Sequence, residues 1–139
     1  MAFVDETKHD IWVDLRRNPF CWMTGKPKIG ENVWIGPYTV IDGANELLEI
    51  GDNSIISAGV QIYTHEMENV PGKEKKVPVR EPTHIGKNVY IGANAVILRG
   101  CRIEDNAVIG ACSLVKKGSH VGAKEVWVGI PAKKIKTLD

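Results

Sequence analysis

The sequence predicts an all-β chain wound as a solenoid of short strands, and three observations carry that expectation. Glycine is in excess: 14 of the 139 residues. β-Branched residues recur every sixth position over long stretches, and Asn or Asp follows glycine at regular intervals. With seven prolines and 6% aromatic residues, this punctuation is too dense for a helix bundle, whose apolar period would be 3.6.

Composition narrows the class further. A chain of 139 residues makes one domain, long enough to bury a real core. Hydrophobic and charged fractions of 43% and 25% are those of a folded globular protein. A formal charge of +1 gives no electrostatic case for a nucleic-acid partner. The opening MAFVDETKHDIWVDLRR has no basic start before an apolar run, and no stretch approaches the 18 or so apolar residues of a membrane span. Three cysteines, Cys21, Cys101 and Cys112, form no CxxC pair, which fits a reducing cytoplasm better than a disulfide framework.

The register runs in order along the chain. Residues 1–26 precede it as an N-terminal cap, in which Thr7 to Arg17 suggests one or two helical turns with Ile11, Trp12 and Leu15 on one face. The first coils, 27–67, begin with Ile29, Ile35 and Ile41, slip by three residues at Leu47-Leu48-Glu49, and resume at Ile50, Ile56 and Ile62. An excursion over 68–84 follows, and the register already fails from Glu66. The later coils, 85–126, step through Ile85, Ile91, Ile97, Ile103, Ile109, Val115 and Val121, and residues 127–139 form a C-terminal tail. Four residues after the members of this second run come mostly small side chains, among them Ala95, Cys101, Ala107 and Ser113.

A six-residue period suits a short strand and a turn, repeated so that one residue per unit faces a central axis. The triplets 30–32, 51–53, 86–88 and 104–106 are the turns, with Asn positioned to adopt the left-handed conformation. Long loops on rigid scaffolds are where function concentrates, so the excursion and its rim draw attention. His65 stands where the chain leaves the regular coil. An imidazole with an ordinary pKa near 6.5 is mostly neutral at pH 7 and can accept a proton.

The runs IGENVW-IGPYTV, IGDNSI-ISAGVQ-IYTHEM and IGKNVY-IGANAV-ILRGCR-IEDNAV-IGACSL resemble the hexapeptide-repeat acyltransferases, in particular the sugar O- and N-acetyltransferases that modify maltose, galactosides and polysaccharides. The resemblance spans 27–136, and Gly129-Ile130-Pro131-Ala132-Lys133 is a further family signature. It implies a left-handed parallel β-helix with three hexads per coil, the coils being 29–46, 50–67, 85–102 and 103–120. It also implies a homotrimer with active sites between subunits, acetyl-CoA as acyl donor, and no metal.

By the same resemblance His65 is the general base, and the backbone N–H of Ala93 receives the thioester oxygen as charge develops there. Tyr90 would border the acyl-donor channel, and Ala111 would let the pantetheine arm approach the backbone. Lys116, Lys133 and Lys136 would meet the nucleotide end of coenzyme A, although relatives often carry threonine where Lys116 stands. The short N-terminal lead points away from the maltose and galactoside acceptors, toward a nucleotide-sugar or polysaccharide precursor, with O- and N-acetylation both open. The alternatives are a non-catalytic solenoid scaffold, and a zinc protein like the gamma carbonic anhydrases, for which His65, His84 and His120 lack the required close pair. Cys101 falls at a small inward position and is expected to be inert packing.

Overall fold

The structure is a computed structural model that describes residues 21–139. The expected helical turns over 7–17, and the cap they would form, lie outside the described residues. Among the described residues fifteen short strands wind into three parallel sheets of five rungs each, matching a left-handed parallel β-helix. The first coil is β1 (Trp22–Gly25), β2 (Lys28–Ile29) and β3 (Trp34–Ile35), and the second β4 (Val40–Gly43), β5 (Leu48–Ile50) and β6 (Ile55–Ile56). In the third, β7 (Gln61–Ile62) is followed by a hairpin of β8 (His65–Glu68) and β9 (Val77–Arg80) before β10 (Thr83–Ile85) and β11 (Tyr90–Ile91). The fourth is β12 (Val96–Ile97), β13 (Arg102–Ile103) and β14 (Val108–Ile109). The fifth is β15 (Leu114–Val115), β16 (His120–Val121) and β17 (Glu125–Gly129), and β18 (Ala132–Thr137) then folds back antiparallel on β17.

The expected register is the core. Ile41, Ile62, Ile97 and Val115 stack on the first face, Ile50, Ile85, Ile103 and Val121 on the second, and Ile35, Ile56, Ile91 and Ile109 on the third, all of them buried. Val89, Ala95, Cys101, Ala107 and Ser113 fill the space between these columns. Each buried isoleucine contributes about 2–3 kcal/mol by leaving water. Asn32, Asn53, Asn88 and Asn106 take φ of 55–64° at successive rungs of one corner, as the triplets predict. The side-chain amide of Asn32 donates to Asn53, and that of Asn88 to Asn106, each at 2.9 Å. Glycine is required where rungs nearly touch: a Cβ on Gly51 would lie 2.6 Å from the Gly86 carbonyl.

Three boundaries differ from the sequence reading. The solenoid starts before residue 27, because Trp22–Gly25 pairs with Val40–Gly43. The excursion is an antiparallel hairpin that opens at His65, and the coil resumes at Thr83. Pro78 obscured that strand in the sequence, but it sits opposite Met67 in a two-stranded ribbon, where a missing N–H is tolerated. Val121 is not the last step either, since Trp127 stacks on Ile109 inside β17, across the expected start of the tail. The slip at 47–49 is taken up by a 3₁₀ turn, Ala44–Glu46. That turn and the hairpin both leave the coil between the first and second faces.

The inward columns set the stability. Replacing Ile103, fully buried, by alanine should cost about 2–5 kcal/mol in a urea titration. A loss under about 1 kcal/mol would show that the axis is not packed as described.

Candidate active site

The corner between the first and second faces gathers the functional side chains. Ile41 is in register with Ile62, so Asp42 lies one rung below the Tyr63-Thr64-His65 segment. The Asp42 carboxylate is buried, its side chain 2% exposed, and Nδ1 of His65 is 2.7 Å from its Oδ2. That same oxygen accepts the backbone N–H of Thr64 at 2.8 Å and its hydroxyl at 2.9 Å, while Oδ1 accepts the N–H of Ala44 at 3.1 Å. Burial pushes the Asp42 carboxyl up, but the Thr64 and Ala44 hydrogen bonds and the charge of His65 outweigh it and hold the group below its ordinary value.

An ionised carboxylate can only accept. Nδ1 of His65 therefore carries the proton in the neutral ring, and Nε2 keeps its lone pair. Among the described residues Nε2 has no hydrogen-bond partner. The side chain is 42% exposed and lines a cleft of about 820 Å³ with Trp22, Thr24, Tyr63, Met67 and Leu98. Burial and the neighbouring Asp42 charge both raise the Tyr63 phenol, whose hydroxyl donates to Gln61 at 2.6 Å.

Ala93 and Ala111 stand elsewhere, on successive rungs of the corner between the third and first faces. The Ala93 carbonyl accepts the N–H of Cys112 at 2.8 Å. Its own N–H has no acceptor among the described residues. The two corners bound the first face and lie one hexad apart, roughly 15–20 Å. A single chain therefore does not bring His65 and Ala93 together. Tyr90 is half-exposed on the third face, next to Ile55 and Val108 in the outward row. Lys116 is exposed on His65's corner, higher in the stack, away from Ala111. Lys133 and Lys136 are exposed on β18 and carry no ion pair among the described residues, whereas Lys134 pairs with Glu125 at 3.2 Å.

Asp42 was not singled out in the sequence, although a signal was present. The three-residue slip makes the second coil 21 residues long, which sets Asp42 opposite Tyr63 rather than Val60. Among the described residues no three His, Cys, Asp or Glu side chains converge as a metal site. Each coil histidine faces a carboxylate of its own: His65 meets Asp42, His84 meets Glu49 at 3.5 Å, and His120 meets Glu104 at 3.0 Å. Cys101 is buried, and burial pushes its thiol up to about 11, so it packs without supplying a nucleophile.

Residues 28–64 match the hexapeptide repeat of succinyl-transferase, and residues 82–117 the bacterial transferase hexapeptide (six repeats). Gamma carbonic anhydrase 2, mitochondrial, of Arabidopsis thaliana is 31% identical, over 78% of this chain and 42% of its own. Galactoside O-acetyltransferase of Escherichia coli (strain K12) is 29% identical, over 80% of this chain and 64% of its own. The chain thus spans less than two-thirds of the length of these curated relatives. AntD, an N-acyltransferase from Bacillus cereus solved with dTDP and 3-hydroxybutyryl-CoA, superposes with a TM-score of 0.76 at 27% identity, covering 86% of this chain and 67% of that one. Among the described residues no helix is long and apolar enough to cross a membrane.

Because the Asp42 carboxyl is held below its unfolded value, its contribution to stability is present above about pH 4 and is lost as pH falls through the lowered native value. Asp42→Asn should therefore be clearly less stable than wild type in urea at pH 7, with the gap narrowing toward pH 3. An equal gap at both pH values would contradict an ionised, hydrogen-bonded Asp42.

Proposed function

From a chain that belongs to the hexapeptide-repeat transferase family, we propose an acetyltransferase that moves the acetyl group of acetyl-coenzyme A to a hydroxyl or amine of a sugar, nucleotide-sugar or polysaccharide precursor. The observation that carries this reading is the Asp42–His65 pair, which leaves an unprotonated Nε2 at the cleft. The galactoside acetyltransferase and AntD support the same chemistry by their similarity. The reducing cytoplasm fits three cysteines that form no disulfide.

His65 Nε2 takes the proton of the acceptor O–H or N–H as that atom bonds to the acetyl carbonyl carbon. The thioester π-electrons move onto oxygen, and the tetrahedral oxyanion is stabilised by the unused N–H of Ala93. When the C–S bond breaks, the coenzyme A sulfur leaves and recovers the proton from the His65 imidazolium. Asp42 stabilises that cation and keeps the ring in the productive tautomer, the role of the carboxylate in a Ser-His-Asp triad. Tyr90 and Ala111 border the acyl-donor channel, and Lys116, Lys133 and Lys136 balance the charge of the nucleotide phosphates.

A base and an oxyanion donor on different corners require a second copy. The outward rows favour one: Trp22, Val40, Gln61, Val96 and Leu114 cover the first face, and Trp34, Ile55, Tyr90 and Val108 the third. The second face instead carries Lys28, Glu49, His84, Arg102 and His120. Two apolar faces and one charged face suit a closed trimer in which the corner between the third and first faces of each subunit packs along the first face of the next.

Light scattering should give about three times the chain mass of 15.3 kDa, and a monomer would contradict the shared site. A thiol-release assay with acetyl-CoA across sugars and nucleotide-sugars should find an acceptor. On that acceptor His65→Ala should lose about 10²–10⁴ in rate while keeping its fold. Transfer by His65→Ala at the wild-type rate would overturn the mechanism.

A further inference from the structure

One buried cation fastens the excursion hairpin to the coil. Arg99 stands on the corner between the first and second faces, one rung above Thr64, because Ile97 is in register with Ile62. Its side chain is 5% exposed. The guanidinium end nitrogens hydrogen-bond Glu68 of β8 and Glu81 just past β9, and Nε lies 3.6 Å from Glu66 of β8. Lys117, a rung higher on the same corner, also meets Glu68. The hydrogen bonds of Lys117 and Arg99 hold the Glu68 carboxyl below its ordinary value. Nε of Arg99 and Oε1 of Glu66 make no hydrogen bond among the described residues.

The two limbs of the hairpin are tied to the coil differently. On the return limb, the Glu81 N–H reaches the Thr64 carbonyl at 2.9 Å, and the Thr83 hydroxyl reaches the Tyr63 carbonyl at 2.8 Å. Among the described residues strand β8 has no such backbone tie; its ladder runs to β9 alone. Among the described residues its side-chain links to the coil are His65 with Asp42, Glu66 and Glu68 with Arg99, and Glu68 with Lys117. Alternation along a strand sets Glu66 and Glu68 on one side and His65 and Met67 on the other. His65 and Met67 line the cleft, and so does Glu66, whereas Glu68 does not. Holding Glu66 and Glu68 therefore fixes how β8 presents His65 and Met67.

We propose that Arg99 is a positioning residue: by holding both limbs of the hairpin, it keeps β8 docked, with His65 seated on Asp42 and Met67 along the acceptor side of the cleft. A guanidinium this deep is tolerated because carboxylates surround it, and its planar fork can serve two of them at once where an ammonium offers a point charge. The proposal deepens the acetyltransferase reading and rests on it for the meaning of His65, but its first readouts need no acceptor.

The test compares wild type, Arg99→Gln, Arg99→Lys and Glu68→Gln as full chains. Hydrogen exchange of residues 65–80 should accelerate by about tenfold or more in Arg99→Gln, while the rungs at 103–121 keep wild-type protection. The His65 Nδ1–H resonance, protected in wild type by Asp42, should be lost to exchange in Arg99→Gln and partly restored in Arg99→Lys. Should Arg99→Gln not fold, Glu68→Gln, which leaves Arg99 its other carboxylates, should show the same changes to a smaller degree. Once an acceptor is known, KM for it should rise about tenfold more than KM for acetyl-CoA in Arg99→Gln. Unchanged hairpin exchange and an intact His65 resonance would overturn the proposal, as would acceleration spread evenly through the coils. If the spectra change as expected but wild type transfers no acetyl group to any acceptor, the acetyltransferase reading fails while the positioning role of Arg99 stands.

Discussion

Everything in this molecule depends on the vertical stacking of successive coils. Parallel rungs about 4.8 Å apart leave no room for drift, so a residue at one corner lies directly over its counterpart in the coil below. The isoleucine columns and the asparagine corner follow from that constraint. So does the proposed chemistry. Asp42, Thr64 with His65, Arg99 and Lys117 come from four different coils and lie far apart in sequence, yet they form one column. Both irregularities of the solenoid, the 3₁₀ turn and the hairpin, open at that column.

The regular part of this design was legible in the sequence because a period is a local property. Stepping by six from Ile85 identifies buried residues without knowledge of any contact. The triplets that end in asparagine mark one corner because few other side chains tolerate positive φ. His65 was visible because it marks the end of the regularity. Asp42 and Arg99 were not, since their meaning lies between coils. Asp42 follows an isoleucine like any corner residue, and Arg99 follows Leu98 in an unbroken hexad. Only the 21-residue second coil brings Asp42 beneath His65, and only the folded hairpin brings three carboxylates to Arg99.

The hairpin is hidden in the sequence for a related reason. Val77-Pro78-Val79-Arg80 has the alternation of a strand, but proline argues against a strand wherever both edges must be paired. Here one edge is unpaired among the described residues. The hairpin turns an otherwise repetitive prism into an asymmetric one, with Glu66 and Glu68 meeting Arg99 and with His65, Glu66 and Met67 lining the cleft.

The proposed site is assembled between copies, with His65 from one subunit and the Ala93–Ala111 corner from its neighbour. Mixing two inactive variants tests it most directly: His65→Ala, which lacks the base, and Ala111→Trp, whose indole would fill the groove at an exposed corner. In randomly mixed trimers about a quarter of the interfaces pair an intact histidine with an intact corner, so acetyl transfer should return to about a quarter of the wild-type rate. Mixed trimers verified by mass spectrometry that remain as inactive as either parent would contradict the account.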